Sequence, residues 1–128
     1  MTDTATPETA TADLIDTYFA MWRESDAAAR AKLIERAFTP DGRHVDPSVD
    51  ACGYVELNDM VSNVQITYPG FTLERTSGID QHGDQLRFAW QIDQADGTPL
   101  VAGIDVGELA EDGRLRRIAG FWGDLPAA

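Results

Sequence analysis

His44 and Asp46 are the two residues of this 128-residue sequence best spaced for proton chemistry. The stretch Arg43-His44-Val45-Asp46 alternates like a short strand, and residues two apart on a strand share a face, so the imidazole and the carboxylate point the same way. Pro47 ends that strand, because it has no N–H to donate and biases the residue before it toward extended geometry. A carboxylate placed there either caps the turn into Ser48 or faces a pocket as a general base. A neutral imidazole beside it can donate one hydrogen bond, orienting the carboxylate while lowering its basicity. A protonated imidazole would pair with it and block proton abstraction.

A second acid stands out later in the chain. From Leu100 to Leu109, Ala102, Ile104 and Val106 share one strand face, while Val101, Gly103, Asp105 and Gly107 share the other. Asp105 is therefore simply exposed, or it looks inward and the Ile104 face is covered by something outside the monomer. An inward acid among glycines and valine is buried for a purpose. Tyr18, on an apolar helix face, reads locally as a core residue with its hydroxyl at the rim. Cys52 is the sole cysteine and His82 the only other histidine, so neither an internal disulfide nor a zinc motif can be assembled; no metal or cofactor is expected.

The elements that must position these groups follow from periodicity. Met1 to Thr11, rich in Thr and Ala with no apolar run, reads as a mobile tail without a secretion signal or membrane span. One domain is expected over residues 12–126. Leu14, Ile15, Tyr18, Phe19 and Trp22 recur at helical spacing, and Leu33, Ile34, Ala37 and Phe38 do so in a second helix opened by Ser25 or Asp26 and stopped at Pro40-Asp41-Gly42. A third helix runs from Tyr54 to about Ile66, with Leu57, Met60, Val61 and Val64 inward. Four strands follow, Phe71–Arg75, Leu86–Ile92, Leu100–Leu109 and Leu115–Trp122, separated by His82-Gly83-Asp84, Asp96-Gly97 and Asp112-Gly113 turns. The fold class is α+β: a curved antiparallel sheet with three N-terminal helices on its concave face, enclosing a pocket. Both faces of the last strand carry apolar residues, which predicts a homodimer through the convex face.

Composition narrows the partners. The formal charge of −12, with one lysine and nine arginines, disfavours nucleic acid and anionic membranes, whose recognition rests on clustered basic residues. Single-cysteine usage fits a reducing cytoplasm.

Tyr18 with Asp26 beyond it, the His44-Val45-Asp46-Pro47 strand end followed by Gly53, and the closing GIDVGELAEDGRLRRIAGFWGD resemble the SnoaL-like branch of the nuclear transport factor 2 superfamily, which includes ketosteroid isomerase. The resemblance covers about Ala12 to Asp124 and implies a cone-shaped fold. It implies a tyrosine hydrogen-bond donor at Tyr18, a general base at Asp46, and at Asp105 a second oxyanion donor, a carboxylic acid kept protonated by apolar surroundings; that isomerase is the standard example of the effect. His44 joins this set beside Asp46. Phe88, Trp90, Ile118 and Trp122, with Trp22 and Met60 from the helices, would wall the substrate pocket.

The implied function is cofactor-independent acid–base chemistry, isomerisation, cyclisation or dehydration, on a small or polycyclic apolar carbonyl compound. The tyrosines that back the donor in such isomerases have no counterpart at Phe38-Thr39-Pro40 or Met60-Val61-Ser62-Asn63. Epoxide hydrolases of this fold need a late acid where Ala119-Gly120-Phe121 stands here. An epoxide hydrolase-like enzyme therefore ranks below the isomerase, and a non-catalytic module binding a hydrophobic ligand is the other alternative.

Overall fold

The computed structural model describes residues 7–128. Three helices precede most of the sheet: α1 (Pro7–Arg23), α2 (Ala27–Ala37) and α3 (Tyr54–Thr67). The strands are β1 (Phe38–Asp46), β2 (Val49–Cys52), β3 (Thr72–Arg75), β4 (Asp80–His82), β5 (Gln85–Asp93), β6 (Pro99–Leu109) and β7 (Leu115–Trp122). They form one curved, unclosed sheet in the order β2-β1-β7-β6-β5-β3, with β4 also paired to β5.

Local chemistry accounts for most element ends. Proline at the first helical position costs no hydrogen bond, so α1 opens at Pro7 and Pro7–Thr11 are helix where a tail was expected. Residues 1–6 of that expected tail lie outside the described residues. Asp26 caps α2 by accepting the Ala29 N–H at 2.8 Å. The β6–β7 turn is made by Gly113 at φ 87°, a backbone conformation open to glycine.

Three departures from the sequence reading bear on the site. The chain turns from α2 straight into β1 at Phe38, so Phe38 is strand rather than helix, and Pro40 and Gly42 fall inside an irregular stretch of β1 before Arg43. The short strands β2 and β4 were not expected. The sheet is mixed, because β1 pairs with β7 in parallel, His44 beside Ile118 and Val45 beside Ala119. This pairing joins segments more than 70 residues apart, which strand periodicity cannot reveal.

The inner face of β5 follows the alternation: Leu86, Phe88 and Trp90 are buried and Arg87 is exposed. Ile15, Tyr18, Ile34, Leu57 and Leu115 are essentially inaccessible between the helices and the sheet. On β6, Ile104 faces outward and is 44 % exposed, whereas Asp105 faces inward and is 4 % exposed. Ile104 lies directly opposite Phe121, which is 62 % exposed, so an apolar patch is left on the outer face.

Candidate active site

The helices cover the inner face of the sheet incompletely, leaving a cavity of about 460 Å³ with mostly apolar walls. α1 contributes Tyr18 and Trp22, β1 and its turn His44, Asp46 and Ser48, β5 Trp90, β6 Asp105, and β7 Trp122. All four residues expected to do chemistry line this one space. Trp90 and Trp122 meet edge to face at 6.0 Å and wall the cavity without filling it.

Asp46 is fixed by the turn it begins. Its Oδ1 accepts hydrogen bonds from the Ser48 N–H and hydroxyl, each at 2.8 Å, and from the Val49 N–H at 3.0 Å. Its Oδ2 lies 2.9 Å from His44 Nε2. Burial disfavours the charge on Asp46, but the hydrogen bonds from His44 and Ser48 outweigh it and hold the carboxyl below its ordinary range. The two sequence readings of Asp46, turn cap and pocket carboxylate, both describe it.

Asp105 has the opposite environment. Its Oδ2 accepts from the Tyr18 hydroxyl and its Oδ1 from the Trp90 indole N–H, both at 2.9 Å. Burial pushes its carboxyl up against the opposing pull of His44, Tyr18 and Trp90, with the Asp46 charge adding to the rise. Burial and the neighbouring Asp105 charge also drive the Tyr18 phenol well above its ordinary value, so Tyr18 stays a donor. His44 Nδ1 lies 3.5 Å from the Tyr18 oxygen, completing a chain Trp90–Asp105–Tyr18–His44–Asp46 along the pocket wall.

Several parts of this site were not foreseen. Trp90 is a hydrogen-bond donor to Asp105 as well as a wall. Gly120 stands between the acids: a Cβ there would lie 2.9 Å from Asp105 Oδ1 and 3.2 Å from Asp46 Cβ. A glycine inside a strand is the sequence sign of such a close approach. Tyr18 is backed not by further tyrosines but by Asp105 and His44. The Trp22 indole N–H lies close enough to favour a charged Tyr18 oxygen, yet makes no hydrogen bond and is the one buried side-chain polar atom without a partner among the described residues.

Phe88, Ile118 and Met60 are corrected: they do not wall the cavity but lie in the core behind it, 2 %, 0 % and 3 % exposed. Phe88 packs against Phe19 at 5.5 Å and Tyr18 at 6.1 Å, deeper under α1 than Trp90. Strand alternation identifies the inner face but not the depth along it. Among the described residues no group of three His, Cys, Asp or Glu side chains could hold a metal ion, and no helix is long and apolar enough to cross a membrane.

The two shifted acids make opposite contributions to stability. Once pH passes about 4 the unfolded chain has released the Asp105 proton that the fold retains, so stability should decline as pH rises through the raised Asp105 titration. The Asp46 contribution is present above the ordinary Asp value and is lost as pH falls through its lowered one. Denaturant midpoints across pH should show Asp105→Asn removing the decline at higher pH only. Identical slopes above pH 4 in wild type and variant would mean that Asp105 titrates normally.

No protein-family model and no curated protein matches the sequence. Solved structures do. A candidate isomerase of the SnoaL-like family from Agrobacterium tumefaciens str. C58 superposes with TM-score 0.84 at 29% identity, over 91% of this chain and 99% of that one. A candidate SnoaL-like polyketide cyclase from Jannaschia sp. CCS1 gives TM-score 0.72 at 13% identity, over 95% and 91% of the two chains. A de novo designed protein with a curved β-sheet gives TM-score 0.65 at 10% identity, over 89% and 85%. The last two likenesses establish the fold alone, and a fold does not by itself fix a chemistry. With its three helices, its curved mixed sheet and its likeness to the Agrobacterium protein, the chain belongs to the SnoaL-like, nuclear transport factor 2-like superfamily.

Proposed function

We propose that the protein is an acid–base enzyme of the ketosteroid isomerase-like type, moving a proton α to the carbonyl of a small or polycyclic apolar compound without a cofactor. One observation carries this reading: two carboxyls flanking Gly120 in one apolar pocket are pushed in opposite directions, Asp46 down and Asp105 up. Such divergence separates a base from an acid that donates. The Asp46–His44 couple takes the proton, and Tyr18 with protonated Asp105 donates hydrogen bonds to the oxygen where charge develops. An oxygen seated against Tyr18 would also offer the Trp22 N–H an acceptor. Trp90 and Trp122 supply flat walls suited to a ring system.

The test is exchange of the α-hydrogens of 2-tetralone in D₂O, followed by NMR. Enolisation requires only the two halves of the site, so catalysed exchange supports the reading. Exchange at the buffer rate with 2-tetralone bound would favour a pocket that binds without catalysis.

The donor role separates two variants. Asp105→Asn keeps a donor and should hold phenol affinity within a few-fold of wild type. Asp105→Ala leaves the Tyr18 and Trp90 donors without their acceptor and should lose roughly tenfold or more, for a cost of ~1–3 kcal/mol. Calorimetry with both variants decides; equal affinities would remove Asp105 from the donor set.

The exposed Ile104–Phe121 patch supports a homodimer through the outer sheet face. Sedimentation should give a dimer at micromolar concentration and a folded monomer for Ile104→Asp. A monomeric wild type would refute this interface.

A further inference from the structure

Both oxygens of Asp46 are already engaged: Oδ1 accepts three hydrogen bonds, and Oδ2 faces His44 Nε2 at 2.9 Å. A carboxylate so held is well oriented but weakly basic, since each hydrogen bond stabilises the charge that proton abstraction would remove. With Asp46 ionised, Nε2 must carry the proton it donates, which leaves the lone pair of a neutral imidazole on Nδ1. Among the described residues Nδ1 has one hydrogen-bond neighbour, the Tyr18 hydroxyl, at 3.5 Å. A hydrogen bond that long is weak, and with substrate bound the Tyr18 proton turns to the substrate oxygen, so the Nδ1 lone pair stays available.

From this arrangement we infer that His44 Nδ1 is the atom that takes the substrate proton, and that Asp46 is a positioning residue holding the imidazole in the Nε2–H tautomer. The inference rests on the acid–base reading above and assigns its base. A base oriented by a third group is the arrangement expected of an activated imidazole. The placement fits the chemistry: Nδ1 and the Tyr18 oxygen are neighbours, as an α-carbon and its own carbonyl oxygen require, whereas Asp46 reaches Tyr18 only through His44. In the step, the Cα–H bond breaks and its proton forms the Nδ1–H bond. The electron pair passes through the new C=C bond to oxygen, giving an enolate hydrogen-bonded by Tyr18. The imidazolium is paired with the Asp46 carboxylate and returns the proton to carbon, so no other reactant is consumed.

Two measurements on the full chain test the assignment. Nitrogen-15 NMR of the histidine-labelled protein near neutral pH should show His44 as the Nε2–H tautomer with an unprotonated Nδ1. An Nδ1–H tautomer, or a standing imidazolium, would overturn the inference whatever the activity. The second is 2-tetralone exchange in two variants. His44→Phe, which keeps a flat ring, should lose at least 10²-fold, whereas Asp46→Ala should lose less and change the tautomer signal. Exchange in His44→Phe within a few-fold of wild type, with Asp46→Ala inactive, would return the base to Asp46 and overturn the inference while the acid–base reading stands. If His44→Phe fails to fold, His44→Ala should recover exchange on adding imidazole but not formate, and recovery with neither would also count against it. Absence of exchange in the wild type, with the tautomer as stated, would instead sink the acid–base reading.

Discussion

Asp46→Asn is expected to lower 2-tetralone exchange by about 10²- to 10⁴-fold, because an amide facing Nε2 would hold His44 in the tautomer whose Nδ1 cannot take a proton, at a cost up to that of losing the base itself. The amide would still accept hydrogen bonds from Ser48 and Val49 through its oxygen, so the β1–β2 turn should persist. Its NH₂, placed where Oδ2 now meets His44, would present a donor to Nε2 and favour the other tautomer. Phenol affinity should be kept, because the hydrogen bonds of Asp46 go to His44, Ser48 and Val49 and none goes to the donors Tyr18 and Asp105. Calorimetry beside the exchange assay separates the effects. A variant that binds phenol and exchanges 2-tetralone at the wild-type rate would remove Asp46 from the mechanism in either role.

The second large effect concerns stability. Arg30 on α2 is 2 % exposed and has no carboxylate partner among the described residues; all five of its N–H groups donate to neutral oxygens. It reaches the Glu24 and Ser25 carbonyls between α1 and α2, and the Asn58, Ser62 and Gln65 side chains on α3. Gln65 in turn donates to the Trp22 and Glu24 carbonyls, so the guanidinium ties three helices together next to the pocket wall. Arg30→Met keeps much of the volume and leaves those acceptors buried and unpaired. The expected loss is about 3–5 kcal/mol, comparable with removing one partner of a buried ionic network. Arg30→Lys should recover only part of it, because an ammonium offers three donors from one point instead of a planar fork. Urea midpoints measure both. A loss under about 1 kcal/mol for Arg30→Met would mean that water replaces the guanidinium at little cost.

Short-range features of the fold were readable before any coordinates. Asp26 as a cap, the helical repeat of Ile15, Tyr18, Phe19 and Trp22, and the Gly97 and Gly113 turns each depend on residues within a few positions of one another. Extension of α1 back to Pro7 was missed because Thr- and Ala-rich sequence has no apolar stripe, although Pro7 itself marks a helix start. Arg30 was missed because a charge on an amphipathic helix reads as its solvated side, and only α3 brings the acceptors that let it be buried.

By itself the sequence determined that His44 and Asp46 share a strand face and that Pro47 holds the acid at the strand end, since period-two alternation and the missing proline N–H are local facts. It also determined that Asp105 opposes Ile104. Which of those two faces turned inward was decided by tertiary structure, through the register that sets Asp105 against Gly120 and Phe88 and beneath Tyr18 of α1. The same holds for depth: Phe88 and Trp90 are equivalent by alternation, yet only Trp90 reaches the cavity and donates to Asp105. Burial, and with it the upward push on one carboxyl and the downward hold on the other, depends on which groups from distant segments surround each acid. No local pattern carries that, because desolvation is a property of the assembled neighbourhood and not of the residue.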